Sequence, residues 1–202
     1  NKELINSLEM YSPGHNGGVM ATGLDGQVYV ITGDQGAGQD NTVIPQLKGP
    51  VTLLQYNNEG EFDDTGVIIR VGLDKDVITP KYAENPLDHY YAIGIRNGFG
   101  LTVDPVTGNL WDTENGDIFF DEINLVDNKF NSGWAKIVGN INDAQLPLIS
   151  PYGDFVYSDP EFSWELPIGI TALDFAYGPL FSKYDGWLFV ADSNNGNIYL
   201  LK

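Results

Sequence analysis

Two short segments near the start of the chain carry side chains suited to proton transfer. The first contains His15, one of two histidines, and the second, residues 32–36, contains Asp34. A carboxylate that accepts a hydrogen bond from one ring nitrogen of a histidine fixes the tautomer and makes the other nitrogen a better base. The pair therefore predicts proton abstraction by His15, oriented by Asp34. A surface histidine beside an ordinary turn is the structural alternative.

A third segment, residues 93–100, places Arg96 and Asn97 directly before a run of apolar residues. Arginine is scarce in this chain, which has only Arg70 and Arg96. A guanidinium beside an amide suits a planar oxyanion or carboxylate. An arginine that anchors a loop to backbone carbonyls explains the pattern equally well.

A fourth segment, residues 113–125, is rich in acidic side chains. Its carboxylates at positions 114–122 are Glu114, Asp117, Asp121 and Glu122. Hard oxygen donors at this density suggest calcium rather than zinc or copper. The spacing does not match an EF-hand loop, and a solvated acidic turn is the alternative interpretation.

Composition excludes several functional classes. Ten Lys and Arg residues against 28 Asp and Glu residues give a net charge of −18, which repels nucleic acid and anionic membrane surfaces. The chain has no cysteine, so disulfides, thiolate metal sites and cysteine nucleophiles are excluded. It contains no phosphate-binding glycine loop, no Gly-x-Ser-x-Gly and no His-Glu-x-x-His, and no apolar run of the roughly 18 residues that a membrane span needs. We therefore expect a periplasmic or extracellular protein without a nucleic-acid partner or membrane span.

Short strands must position these segments. The 24 glycines and 11 prolines separate short apolar runs rich in Val, Ile, Tyr, Phe and Trp, which predicts an all-β fold. One pattern recurs three times: a strand, a turn, a strand with an aromatic residue, and then an acidic residue. The turn glycines Gly26, Gly108 and Gly186 lie 82 and 78 residues apart. Third strands are predicted at 51–56, 122–126 and 197–201, the last after a tight Asn195-Gly196 turn.

A near-fixed long period favours a β-propeller over a β-sandwich, although both contain many short strands. We predict a single partial propeller domain over residues 1–202, with blade-like repeats around 15–60, 93–140 and 168–202. Three blades are too few to close a ring. We therefore expect either the remainder of a longer chain or a second copy in a homodimer to cover the open sheet edges.

Taken in order, the segments resemble the soluble glucose, aldose-sugar and sorbosone dehydrogenases that depend on pyrroloquinoline quinone (PQQ). The resemblance is carried by His15, residues 32–36, 94–101 and 121–125, and the pair Gly133 and Trp134. It implies a six-bladed propeller of which this chain supplies about three blades. It further implies oxidation of an aldose at its anomeric carbon, with PQQ and calcium as cofactors and an external electron acceptor.

The resemblance also implies roles for individual residues. His15 matches the general base, Asp34 its orienting carboxylate, and Arg96 with Asn97 the pair that holds PQQ and stabilises the developing oxyanion. The implied cofactor-binding positions are Gln35, Arg96, Asn97, Asn115 and Asn194. The implied metal-binding positions are Gly116 and Asp117 for the active-site calcium, and Glu122 and the Ser132 carbonyl for a structural calcium.

Three positions depart from the family pattern. Gly98 and Phe99 stand where members usually have Pro-Gln, Asp117 stands where they have Pro, and Asn194 stands where many have a PQQ-binding lysine. These departures keep two other functions open. One is a non-catalytic carbohydrate- or protein-binding propeller, and the other is a calcium-dependent hydrolase resembling the lactonases.

Overall fold

The fold is built almost entirely from short strands. The structure is a computed structural model that describes residues 14–35, 64–72, 84–134, 136–149 and 153–202. Within these residues it has 13 strands and three 3-10 segments, at Pro86–Asp88, Leu146–Leu148 and Pro179–Tyr184, so the all-β prediction is confirmed. The strands are β1 (Met20–Thr22), β2 (Val28–Ile31), β3 (Val67–Val71), β4 (Tyr90–Ile93), β5 (Gly98–Val103), β6 (Leu110–Glu114), β7 (Asp121–Val126), β8 (Phe130–Asn131), β9 (Val156–Tyr157), β10 (Phe162–Trp164), β11 (Ile170–Ala176), β12 (Trp187–Asp192) and β13 (Ile198–Leu201).

These strands form three sheets. The first has the order β1-β2-β3-β4-β8-β9, in which the first four strands are antiparallel and β8 and β9 join in parallel. The second has the order β10-β7-β6-β5, and the third the order β11-β12-β13, and both are antiparallel. Strand β5 of the second sheet contacts both β1 and β11. The sheets therefore stand side by side and share a line of contact along their first strands.

The three predicted hairpins are present as β1–β2, β5–β6 and β11–β12. Their turn glycines have nearly the same left-handed backbone conformation, with φ of 77° at Gly26, 80° at Gly108 and 78° at Gly186. Residues with a Cβ rarely adopt this conformation, whereas glycine does so without strain. The regular spacing of these glycines therefore marks one repeated position in the hairpins, although the third connection is longer and contains the 3-10 segment Pro179–Tyr184.

The third strands match the prediction only in part. Strands β7 and β13 lie where the sequence predicts them, at Asp121–Val126 and Ile198–Leu201. In the first sheet, however, the neighbour of β2 is β3, Val67–Val71, whose first three residues are buried, and the predicted strand at 51–56 lies outside the described residues. A short helical turn, which the sequence at residues 2–10 could form, also lies outside the described residues. Proximity along the chain therefore did not identify the pairing partner of β2.

The turn before β13 is longer than a two-residue hairpin. The amide of Asp192 donates to the carbonyl of Asn197 at 3.1 Å, so four residues separate the pair. Oδ1 of Asp192 accepts the backbone N–H groups of Asn195 at 2.7 Å and Gly196 at 2.9 Å. A carboxylate at the end of β12 thus closes the loop.

The hydrophobic core consists of layers between adjacent sheets. On β6, Leu110 packs with residues of the first sheet such as Ile31, whereas the next residue, Trp111, packs with the third-sheet residues Leu173 and Val190. Alternate residues of a strand point to opposite faces. The second sheet is therefore buried on both sides, which fixes its loops relative to both neighbours.

No helix in the described part of the chain is long and apolar enough to cross a lipid bilayer.

Candidate functional site

The predicted site residues lie at one end of the sheets. His15 precedes β1 and Asp34 follows β2, while Arg96 precedes β5 and residues 115–117 follow β6. Because β1–β2 and β5–β6 are antiparallel pairs, the start of each first strand lies beside the end of its partner. The repeated glycine turns lie at the opposite end of the same sheets.

His15 and Asp34 form a direct contact. Nδ1 of His15 lies 2.7 Å from Oδ1 of Asp34, and the aspartate is fully buried whereas the histidine side chain is 20% exposed. The other carboxylate oxygen, Oδ2, accepts the indole N–H of Trp134 at 2.6 Å. With Nδ1 protonated toward Asp34, Nε2 of the neutral imidazole presents a lone pair. The arrangement can therefore take up a proton at Nε2.

The backbone connects the histidine segment to the arginine segment. The amide of Asp34 donates to the carbonyl of Arg96 at 2.8 Å, and the amide of Gln35 donates to the carbonyl of His15 at 3.2 Å. A Cβ at Gly33 would collide with the carbonyl of His15 and come within 3.0 Å of the carbonyl of Arg96. Only glycine fits between the two segments, so their separation is fixed by the backbone.

Four residues that carry a Cβ adopt left-handed backbone conformations at this end of the sheets. They are His15 with φ of 56°, Gln35 with φ of 53°, Asp64 with φ of 66° and Phe120 with φ of 57°. Such conformations are strained for residues with a Cβ and persist only where the surrounding contacts enforce them. Strain of this kind is often found at functional sites.

Arg96 is buried, with 5% of its surface exposed. Its Nη1 donates to the carbonyls of Asn115 and Gly116, both at 2.6 Å, and Nη2 lies 3.5 Å from Oδ1 of Asp117. The guanidinium carbon stands 5.1 Å from the ring centre of Trp134. Burial lowers the pKa of Arg96, although the neighbouring carboxylates act in the opposite direction. Its Nε is buried and has no hydrogen-bond partner among the described residues.

Glu114 holds the segment that carries Arg96. Its Oε2 accepts the backbone N–H of Arg96 at 2.7 Å, and Oε1 accepts the hydroxyl of Ser132 at 2.6 Å and the amide of Asn124 at 3.1 Å. Burial raises the pKa of Glu114 to about 7, and the hydrogen bonds from Ser132 and Arg96 offset part of that effect. From the sequence, Glu114 is distinguished only as one of several acidic residues. The alternation of Asp112 and Glu114 on one face of a buried strand is the signal that could have identified it.

Asp121 joins two loops instead of presenting a free carboxylate. Its Oδ1 accepts the amide of Gly116 at 3.0 Å. Its Oδ2 accepts three consecutive backbone amides, those of Ile168, Gly169 and Ile170, at 2.7 to 3.0 Å. The carboxylate is therefore committed to backbone hydrogen bonds, and the acidic segment offers fewer metal ligands than its composition suggests.

Several predicted positions meet at one small cavity. Burial raises the pKa of Glu122 to about 8, with a further contribution from the charge of Glu114, and one carboxylate oxygen accepts the amide of Gly139. The cavity is lined by Arg96, Glu114, Asn115, Gly116, Phe120, Glu122, Ser132, Trp134, Ile137 and Val138. The predicted structural-metal positions thus share one cavity with two of the predicted cofactor-binding positions.

The other predicted cofactor positions are placed differently. Asn97 accepts the amide of Asn115 through its carbonyl at 3.1 Å, and the side chain of Asn115 donates to the carbonyl of Ile170 at 2.6 Å. Asn194 is exposed, and its backbone N–H donates to the carbonyl of Ile168 at 3.2 Å. Asn194 therefore lies beside residues 168–170, the loop whose backbone amides donate to Asp121.

The donors present suit both groups that the sequence resemblance implies. In the described ranges, no three His, Asp or Glu side chains converge as potential metal ligands, so a calcium ion would depend on backbone carbonyls. The carbonyls of Asn115 and Gly116 and the carboxylate of Asp117 are oxygens of the kind that calcium prefers. In this structure they contact the guanidinium of Arg96, so an ion would bind to them only where the guanidinium turned away. The buried, unpaired Nε of Arg96 fits an anionic oxygen such as those of PQQ.

Comparison with known proteins gives consistent matches along the chain. The family model for glucose and sorbosone dehydrogenases matches residues 3–202. Quinoprotein glucose dehydrogenase B from Acinetobacter calcoaceticus is 32% identical over 140 residues, which cover 66% of this chain and 28% of that protein.

Solved structures show the same fold. A glucose dehydrogenase structure matches with a TM-score of 0.72 at 20% identity, over 99% of this chain and 54% of the other. The PQQ-bound aldose sugar dehydrogenase from Streptomyces coelicolor matches with a TM-score of 0.60 at 22% identity, over 94% and 46% of the two chains. The predicted β-propeller class is confirmed, and this chain spans about half the length of these solved chains.

Proposed function

Because this chain belongs to the glucose/sorbosone dehydrogenase family, as its motifs indicate, we propose that it functions in a sugar dehydrogenase that oxidises an aldose at its anomeric carbon. The contact chain from Trp134 through Asp34 to His15, next to the buried Arg96, supports this activity most directly. The base His15 and the cation Arg96 lie close together there, which suits removal of a proton and stabilisation of the negative charge that develops.

His15 acts as the general base in this proposal. Its Nε2 takes the proton of the anomeric hydroxyl, while Nδ1–H remains bonded to Asp34 at 2.7 Å. The buried carboxylate stabilises the imidazolium that forms, and the indole of Trp134 keeps that carboxylate from rotating. The 20% exposure of the His15 side chain leaves a path for the proton to reach solvent afterwards.

Arg96 and Asn97 hold the anionic end of the cofactor. The guanidinium is buried and fixed by two carbonyls, so it can stabilise charge with little reorganisation. Its unpaired Nε is the donor available for an oxygen of the bound group. Bound PQQ would supply the acceptor that takes the hydride from the anomeric carbon.

Calcium belongs to the same proposal. The carbonyls at 115 and 116 and the Asp117 side chain would hold an active-site ion, with Gln35, Asn115 and Asn194 at the edge of the cofactor site. Glu122 and the Ser132 carbonyl would hold a structural ion. We place the protein in the periplasm or outside the cell, where an external acceptor would reoxidise the cofactor.

The test is reconstitution of the full-length gene product with PQQ and calcium. We expect D-glucose or another aldose to reduce a dye only when PQQ is present, and His15→Ala to lower kcat by at least about 100-fold. PQQ binding is followed separately through the change in quinone absorbance.

Two outcomes would contradict the proposal. PQQ binding without turnover of any aldose would indicate a non-catalytic binding propeller. Hydrolysis of a sugar lactone in the presence of calcium alone, without PQQ binding, would instead indicate a hydrolase.

A further inference from the structure

Strand β5 contains a bulge at Phe99, three residues after Arg96. Gly98 pairs with Glu114 and Gly100 pairs with Thr113, so Phe99 has no partner on β6. A bulge inserts one unpaired residue and redirects its side chain, and such bulges are common beside active sites.

The glycines on either side hold this bulge between the neighbouring sheets. A Cβ at Gly98 would collide with Ile31 of the first sheet, whereas a Cβ at Gly100 would come within 2.5 Å of Leu173 of the third sheet. The two positions therefore approach opposite neighbours. Phe99 is the residue between them, and about half of its surface is exposed.

Phe99 is far more exposed than the residues of the candidate site. It is 49% exposed, whereas Arg96 is 5% exposed and Trp134 is 6% exposed. It stands at the start of β5, at the same end of the second sheet as Arg96 and the loop after β6. A single exposed apolar side chain needs no explanation by itself, but this one is fixed by a bulge at the edge of a buried polar site.

We propose that Phe99 forms an apolar subsite that contacts the C–H face of the sugar ring while the anomeric carbon lies beside His15. This inference rests on the proposed function and assigns part of its substrate recognition. A pyranose has an apolar face of C–H groups, and a rigid aromatic ring offers it a matching surface.

Depth within the site separates the sugar from the cofactor. The buried guanidinium and indole lie where a planar anion would bind, and the cofactor must bind before the sugar can react. The sugar then approaches from solvent and meets the exposed ring of Phe99.

The experiment compares Phe99→Ala and Phe99→Tyr with the control Phe181→Ala in the full-length gene product loaded with PQQ and calcium. Phe181 has a similar exposure of 46% and lies at the opposite end of the third sheet, between β11 and β12. We expect Phe99→Ala to raise KM for D-glucose about tenfold with kcat within about twofold of wild type. Phe99→Tyr and Phe181→Ala should leave both constants within about twofold of wild type.

The Kd for PQQ, measured by absorbance titration, distinguishes the sugar from the cofactor. An unchanged KM for D-glucose in Phe99→Ala would overturn the subsite. If the affinity for PQQ were weakened at the same time, the ring would contact the cofactor instead of the sugar. If the alanine variant fails to fold, Phe99→Leu, which keeps an apolar side chain but lacks the flat ring, provides the comparison, and KM should again rise. A wild-type protein that binds PQQ and oxidises D-glucose separates failure of the subsite from failure of the proposed function.

Discussion

Trp134 donates its indole N–H to Oδ2 of Asp34 at 2.6 Å, across a sequence separation of 100 residues. The other oxygen of the same carboxylate contacts His15. Three side chains from three segments thus form one chain of hydrogen bonds that ends at Nε2 of the histidine. Its members can be tested one at a time.

Replacing Asp34 with asparagine should lower kcat by about 100-fold or more, because an amide can donate to Nδ1 and stabilise the wrong tautomer. The Kd for PQQ should change less than kcat, since the backbone amide of Asp34, which donates to the carbonyl of Arg96, is unaffected by the substitution. Steady-state kinetics of the reconstituted protein provide the measurement, with the exposed Asp143→Asn as the control. Equal kcat values for the two variants would remove Asp34 from the mechanism.

Trp134→Phe tests the last link of the chain. Phenylalanine keeps an aromatic ring near Arg96 but cannot donate to Asp34, so we expect kcat to fall about tenfold. Trp187→Phe, at the opposite end of the third sheet, is the matched control and should leave kcat unchanged. A kcat equal to that of the control would show that the carboxylate does not need the indole.

Asp117→Asn should weaken calcium binding about tenfold, since the change removes one negative charge from a site otherwise formed by neutral carbonyls. Isothermal titration of the PQQ-free protein with calcium, or terbium luminescence, measures this without any turnover. Asp143→Asn again provides a charge-matched control. Affinities that agree between the two variants would place the ion elsewhere.

Asp112→Asn should change the pH dependence of stability. The side chain is fully buried, and neither carboxylate oxygen has a hydrogen-bond partner among the described residues. Burial, and then the charge of Glu114, raise the pKa of Asp112 well above its ordinary value of 3.8. The folded protein therefore retains a proton that the unfolded chain releases. Above the ordinary pKa, the free energy of unfolding falls by about 1.4 kcal/mol per pH unit until the folded-state pKa is reached.

An asparagine at this position has no proton to lose. The variant should thus be more stable than wild type at pH 8, and its advantage should shrink toward pH 4. Urea unfolding at several pH values gives both curves, with Asp143→Asn as the control. Parallel curves for wild type and Asp112→Asn would contradict the assignment.

Gly100→Ala should destabilise the fold by about 1 to 3 kcal/mol, because the added methyl group would lie 2.5 Å from Leu173 and 2.7 Å from Thr113. Gly14→Ala, where nothing lies within 4 Å of the new Cβ, is the control. Thermal or urea unfolding compares them. Equal stabilities would mean that the second and third sheets leave more space around Gly100 than these distances indicate.

The repeat predicted the location of the site better than it predicted the contacts within it. Asp34, Gly116 and Asn194 are separated by the same 82 and 78 residues as the turn glycines, so each occupies the same point of its repeat. A regular pattern of strands and turns was enough to bring those loops to a common end. The positions of His15 and Arg96 could be predicted because they flank the strands of that pattern.

The roles of Glu114 and Asp121 could not be predicted in this way. Glu114 accepts hydrogen bonds from Arg96 and Ser132, which come from separate elements, and Asp121 binds amides 47 to 49 residues away. Packing between sheets determines which acidic side chain accepts hydrogen bonds from the backbone. No local sequence pattern predicts this choice. The pairing of β2 with β3 was missed for the same reason.

The uniform glycine turns have an evolutionary consequence. One end of each of these three hairpins carries a glycine in the same left-handed conformation, while the loops at the other end differ in length and in chemistry. New activities can therefore arise by substitution of residues in those variable loops, without any change in the strand and turn residues that determine the fold of each hairpin. A lineage could lose or regain catalysis at positions such as Asn194 and Phe99 and still inherit an intact scaffold.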